Sequence, residues 1–268
     1  MTITDFLHYE FIQRALLGGI FIAMSCAALG VFLVLRRYSL IGDGLAHATF
    51  SSVALALLLG MSPLYVSIPI VMACALGILK LTEKIRLYGD AAIGVISALG
   101  LAVGIMISSL AGGFNVDLFS YLFGSILSIS NEEVILSIIL SIIVMITVAS
   151  FFNDLVSLTF DEESAKASGI CAVRINTIFV LLTALTVVLT MKVVGILLVS
   201  ALLILPAVTA IQLAGSFRTT MTTAALAAVL SVSSGIAVSF YFNLPTGATI
   251  VLINMVFFAT ALLYRKMT

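Results

Sequence analysis

Two residues of this chain combine the chemical type and the spacing that metal binding needs. Asp43 and His47 stand in the stretch Ser39-Leu40-Ile41-Gly42-Asp43-Gly44-Leu45-Ala46-His47-Ala48, and an apolar run continues beyond them to Leu59. Residues four apart project from one face of a helix. A carboxylate oxygen and an imidazole nitrogen so placed can share one ion. That donor pair suits Zn2+, Mn2+ or Fe2+ better than Mg2+ or Ca2+, which prefer all-oxygen shells. Two ligands make a weak site, as a conducting path requires, because the ion must leave again. A plainer assignment fits the same residues: Asp43 as a helix N-cap and His47 as a hydrogen-bonded member of a bundle. Eleven of the 12 acidic residues fall in loops or at the ends of apolar runs, which leaves Asp43 as the candidate for a charge held inside the apolar layer. A charge is costly there and marks function by default.

The remaining polar and sulfur-bearing residues point to packing. His8, near Asp5 and Glu10, reads as an interfacial residue, and Asn254 and Gln212 as interhelical hydrogen-bonding groups. Cys26, Cys74 and Cys171 form no CxxC pair, the first two sit in apolar runs, and the three read as buried inert thiols. The 10 methionines are scattered, without the MxxM clusters of a copper path. No P-loop, HExxH, GxSxG or intramembrane carboxylate pair is present, which argues against an intramembrane enzyme.

The elements that must position Asp43 and His47 are membrane helices. The 268 residues are 62% hydrophobic and 9% charged. A soluble domain carries roughly 25% charged residues. Lipid is therefore the solvent for most of the chain, and a mean hydropathy of +1.31 agrees. The expected fold is all-α, a polytopic transmembrane bundle. Apolar runs cover 11–35, 45–59, 63–79, 91–110, 133–152, 177–191, 193–213, 220–241 and 247–264. A span takes about 20 residues. Only Lys192 separates the sixth run from the seventh, so the count is eight or nine. The first run exceeds a signal-peptide core, lacks a basic region before it and reads as an uncleaved span. A net charge of zero gives no reason to expect a nucleic-acid partner.

Charge fixes the expected orientation. With nine spans and the N-terminus outside, Arg36, Arg37, Lys80, Lys84, Arg86, Lys166, Arg174, Arg218, Arg265 and Lys266 lie in the cytoplasm, leaving only Arg14 and Lys192 outside. The outer segment 111–132 has no basic residue, and with Glu133 it carries Asp117 and Glu132. One sizeable cytoplasmic loop remains, 153–176. Asp161, Glu162 and Glu163 at the start and Gly169 at the end of Ser164–Ser168 suit a short exposed helix. It serves either as a solvated connector or as a docking element for a partner.

Four stretches in order resemble the membrane permease subunits of the zinc- and manganese-type ABC importers. They are Arg36 through Ala48; Asp117-Leu118-Phe119-Ser120-Tyr121-Leu122-Phe123-Gly124-Ser125; Asp161 through Gly169; and Lys192-Val193-Val194-Gly195 through Leu203-Ile204-Leu205-Pro206-Ala207. The resemblance covers nearly the whole chain. It implies a type II ABC importer permease in a bacterial or archaeal cell membrane, one transmembrane domain over residues 1–268. It implies a homodimer, two cytoplasmic ATP-binding subunits on separate chains and an extracytoplasmic metal-binding protein. It implies that Asp43 and His47 contact the transported metal, with no permanently bound cofactor, and that Asp161, Glu162, Glu163, Ala167 and Gly169 dock the ATPase. Ser52 stands where the family often has glycine, and a residue this small still permits close helix approach. Tyr121-Leu122-Phe123-Gly124 and Leu205-Pro206-Ala207 look more like the zinc members than the manganese members. The alternative, a permease for an iron chelate or other larger complex, has a longer chain and a path that needs no Asp/His pair.

Overall fold

The computed structural model of the chain describes residues 8–85, 87–113, 116–125, 129–191 and 193–267, with the backbone alone at 116 and 117. Asp5, Arg86, Lys192 and the Asp117 side chain, all used above, lie outside the described residues.

Among the described residues the regular elements are all helical. Nine helices are long and apolar enough to cross a membrane. They are α1 (Glu10–Leu35), α2 (Ile41–Leu58), α3 (Pro63–Glu83), α4 (Gly89–Leu110), α6 (Asn131–Ser150), α9 (Ala172–Thr190), α10 (Val199–Leu213, entered through a 3-10 turn at Ile196–Leu198), α11 (Phe217–Phe242) and α12 (Thr246–Met267). Short helices α5 (Val116–Phe123), α7 (Phe152–Phe160) and α8 (Glu162–Ala167) fill two of the connections. The protein is a multi-pass membrane bundle. The connections after α1, α3, α6 and α10 gather at one end, called here the loop end because α7 and α8 lie there.

The sixth and seventh apolar runs are separate helices, which settles the count at nine for the described residues. The chain breaks at Gly195, whose φ is +93°, and a Cβ there would lie 2.5 Å from the Gly124 nitrogen and the Leu122 oxygen. No other residue type fits that approach. The break therefore comes from α5 pressing its C-terminal end into the chain, not from a loop-like composition.

Two helices form the centre. In the most apolar stretch of α2, 72% of residues are buried, and in that of α1 67%, against 28% for α3, α4 and α6. The outer helices turn residues such as Leu99, Met106, Ile139 and Ile146 outward. α2 makes its most extensive pairing with α4 and a further one with α3, while α1 is clasped by α11, α6 and α10.

Three expectations are corrected. α2 starts at Ile41, not near residue 45, because Gly42 seats against Ser200 and Leu203 of α10 and Gly44 against Ile93 of α4. Packing overrides the helix-breaking tendency of both glycines. Asn254 donates to Ile250 O in its own helix, whereas Gln212 does accept from Arg265 across α10 and α12. Cys26 is buried and Cys74 partly so, but Cys171 is exposed.

Candidate functional site

The structure brings Asp43 and His47 together. His47 Nε2 lies 3.7 Å from Asp43 Oδ2, longer than a hydrogen bond. Two ligands of a tetrahedral zinc ion, with bonds of about 2.0–2.2 Å, stand about 3.4 Å apart. The pair therefore has the span of one edge of a coordination shell. Among the described residues no third His, Cys, Asp or Glu joins it.

Asp43 is not a helix cap. The N-cap of α2 is Leu40, and Asp43 stands three residues inside the helix. A carboxylate in the first turn still favours the helix dipole, but it satisfies no backbone donor as a cap would. The adjacent Gly42 lies beside Leu203, ten residues before α10 ends, and Gly44 beside Ile93, four residues into α4. At 1.5 Å per residue the pair is recessed from the loop end by about 6 Å along α4 and about 15 Å along α10.

The exposure pattern of α2 carries more. Apart from Leu57 near its end, the helix leaves only Asp43, His47, Ser51, Leu55 and Leu58 at least partly open. They are three or four residues apart and form one stripe. The Asp43 side chain is 52% exposed and that of His47 22%. The stripe is polar toward the loop end and apolar toward the other. Ser51, which donates to Ala48 O at 2.8 Å, extends the polar part by a turn. Spacing could have found Ser51, since it continues the i, i+4 series from Asp43 and His47.

The flank of α2 beside the stripe is fixed by close contact with α4. A Cβ on Gly100 would sit 2.7–2.8 Å from the His47 carbonyl group and the Ala48 nitrogen. A Cβ on Gly104 would sit 2.4 Å from the Phe50 ring. These glycines let the helices touch, as small residues do in membrane interfaces, and so set where His47 points. Ser52 is buried and donates to Ser67 Oγ of α3 at 2.7 Å. The residue in the glycine-like position thus binds a neighbouring helix instead of spoiling the approach.

The second group of sequence candidates divides by role. Asp161 is the N-cap of α8, its Oδ1 accepting from Ser164 N at 2.9 Å. Glu162 pairs with Lys166 at 2.8 Å and holds the ammonium above its ordinary pKa. Gly169, with φ +89°, ends the helix, and Ile170 N closes it onto Ala165 O. Only Ala165 is buried, so Glu163 and Ala167 face outward. Around α8 the loop end also exposes Phe160, Val173, Ile85 and Tyr88. An apolar rim of this kind outside the helix walls is a mark of an interaction surface. The sequence reading missed it, because these residues come from two regions of the chain more than seventy positions apart, 85–88 and 160–173.

The whole of this architecture has known counterparts. The ABC 3 transport family matches residues 8–265. The chain belongs to that family. It is 34% identical to the "Probable iron transport system membrane protein" of Haemophilus influenzae (97% of this chain, 96% of that one). It is 33% identical to "Manganese transport system membrane protein MntC" of Listeria monocytogenes (96% and 92%). It is 32% identical to "High-affinity zinc uptake system membrane protein ZnuB" of H. influenzae (96% and 99%). Among solved structures it is similar to "PsaBC from Streptococcus pneumoniae in complex with Fab", with 30% identity, a TM-score of 0.86 and coverage of 97% and 95%. The all-α bundle is thus that of an ABC transporter permease, and the expected fold class holds.

Within this ABC 3 family chain the structural role of one residue escaped the sequence reading. Arg36, used there as one charge in a count and as the first residue of the Arg36–Ala48 stretch, is a half-buried junction. Its Nε donates to Thr159 Oγ1 at 2.9 Å, Nη1 to Asn176 Oδ1 at 2.9 Å and Nη2 to Leu155 O at 3.2 Å. Its guanidinium stands over the Phe179 ring at 5.2 Å. Burial lowers its pKa, and the nearby Glu162 charge opposes that. Its partners lie more than a hundred residues away in sequence, so no local signal announces it.

Proposed function

We propose that the chain is the permease subunit of an ATP-driven importer of a divalent transition metal, and that the ion passes along the Asp43–His47–Ser51 face of α2. The observation that carries this is the stripe itself: the most deeply packed helix leaves one polar line uncovered, headed by a carboxylate and an imidazole at the separation of two ligands. An ion meeting two ligands at a time binds weakly enough to move on.

The stripe needs a second wall. A carboxylate at membrane depth costs about 2.5–3.5 kcal/mol on insertion scales when left to lipid. A second copy of the chain, placed against this face, would close the path and supply a second Asp43–His47 pair. This supports a homodimer. The loop end carries most of the basic residues and the exposed α8, which supports a cytoplasmic loop end in a bacterial cell membrane, the N-terminus outside, and ATP-hydrolysing subunits on separate chains docked at Glu163, Ala167 and Gly169. An extracytoplasmic metal-binding protein would deliver the ion at the other end.

Relatives named for iron, manganese and zinc are 34%, 33% and 32% identical to this chain, so the cargo is taken as a transition metal as a class. The resemblance of Tyr121–Gly124 and Leu205–Ala207 to zinc members favours zinc, with manganese next. Uptake of radiolabelled zinc, manganese and iron tests the proposal in cells lacking their own importers and expressing this chain with its ATPase and binding protein. Saturable uptake of at least one, dependent on ATP, is expected. Uptake of none of them at normal expression would overturn the proposal.

A further inference from the structure

Arg36 joins the two regions that an ATP-driven importer must connect. It caps α1 at the loop end, and the tight turn that follows, with Arg37 at φ +60°, delivers the chain into α2. Asp43 is seven residues on. The Arg36 partners lie on the other side: Leu155 and Thr159 in α7, Asn176 and Phe179 in α9, with the Glu162 charge of α8 close by. Every guanidinium nitrogen is used, in a rigid fork that fixes direction as well as distance.

What surrounds this junction makes it specific. A cavity of about 400 Å3 separates the α1–α2 turn from α3, α7, α8 and α9, with Arg36, Tyr38, Ile41, Glu83, Glu162 and Asn176 on its wall. Close packing would carry motion through many contacts at once. Here the turn and the α7–α8 element face each other across open space, and Arg36 bridges it. On the far side α7 is tied to the bundle by ring contacts of Phe152 with Phe32 and Phe217. α9 also packs directly against α2, and Phe152 against Phe32, so among the paths from α7–α8 to the α2 start the Arg36 fork is the polar, directional one.

We infer that Arg36 is the positioning residue that couples α7–α8 to the Asp43–His47 pair. This rests on the proposed importer function. A push on α8 from a docked ATPase moves Leu155, Thr159 and Asn176, and the fork carries that movement to the turn ahead of Asp43. Lysine in this position keeps the charge but has one nitrogen for three acceptors.

The test uses the complete complex with its ATPase in proteoliposomes. Two readouts are needed: metal moved per ATP hydrolysed, and the ATP-dependent labelling rate of Ser51→Cys in a Cys171→Ser background. Arg36→Lys and Arg36→Gln should assemble with the ATPase and hydrolyse ATP near the wild-type rate. Transport per ATP should fall about 3- to 30-fold, the scale on which residues that carry coupling between distant sites act. Thr159→Val and Asn176→Leu, which keep the arginine and remove one acceptor each, should give smaller losses of the same kind, and they stand in if the Arg36 variants do not fold. An unchanged transport ratio in these variants overturns the inference, and so does a parallel fall of hydrolysis, assembly and transport. The labelling readout does not need the cargo to be a metal. If the unsubstituted complex moves no transition metal but Ser51→Cys labelling responds to ATP only while Arg36 is intact, the importer reading fails and the strut stands. A response that survives Arg36→Gln sinks the strut alone.

Discussion

The α2 stripe and the α8 helix both present acids one turn from a partner, yet they use them differently. On α8, Asp161 is taken up by a backbone amide and Glu162 by Lys166, so two of three carboxylates hold the helix itself. On α2 the cap is Leu40, and Asp43 has no such structural employment. Its helix is held instead by Gly100 and Gly104 of α4 and by Ser52 bonded to Ser67. A carboxylate whose charge is consumed locally is scaffold, while one left open on a rigidly packed helix is available to an ion. The lesson is that position in a motif does not rank the acids; their partners do.

The largest effect that would sharpen this contrast is expected at Asp43. Asp43→Asn keeps the shape and removes the charge, and metal uptake should fall to near background with the complex intact. Near-normal uptake would return Asp43 to a dipole role, worth only about 0.3–1 kcal/mol. Next comes Glu163→Lys, the outward acid of α8. If it pairs with a base in the ATPase interface, its loss should cost about 2–5 kcal/mol and abolish copurification while the permease remains in the membrane. Undiminished complex yield would remove the docking role.

Gly100→Ala should follow, because its Cβ meets His47 and Ala48 backbone that has nowhere to go. Overpacking of this kind costs about 1–3 kcal/mol, read as a lower melting temperature of the purified protein, with lost uptake. A variant as stable and active as wild type would show that the α2–α4 contact does not set the His47 position. His47→Ala should reduce uptake less than Asp43→Asn and weaken discrimination against Ca2+ and Mg2+, measured by competition. The smallest change is expected for Asp161→Asn, since Asn caps about as well as Asp. Strong loss of ATPase binding there would give Asp161 a contact role beyond its cap.

Much of this was legible in sequence because it is local. Apolar runs of membrane length set eight or nine helices, since backbone in lipid must bond within its own segment. The spacing of Asp43 and His47 put them on one face once α2 was helical, and the acids and Gly169 around Ser164 marked the ends of α8. The sequence by itself thus determined the solvent, the helix count to within one, and the two groups of candidate residues. Only the tertiary structure decided that α2 begins at Ile41, that Asp43 caps nothing, that Gly100 lies on the His47 backbone, that the chain breaks at Gly195, and that Arg36 reaches Leu155, Thr159 and Asn176. Each of these depends on residues tens to more than a hundred positions apart meeting within a few ångströms. Periodicity reports which face of a helix is apolar, but which neighbour covers that face is fixed by packing across the whole bundle.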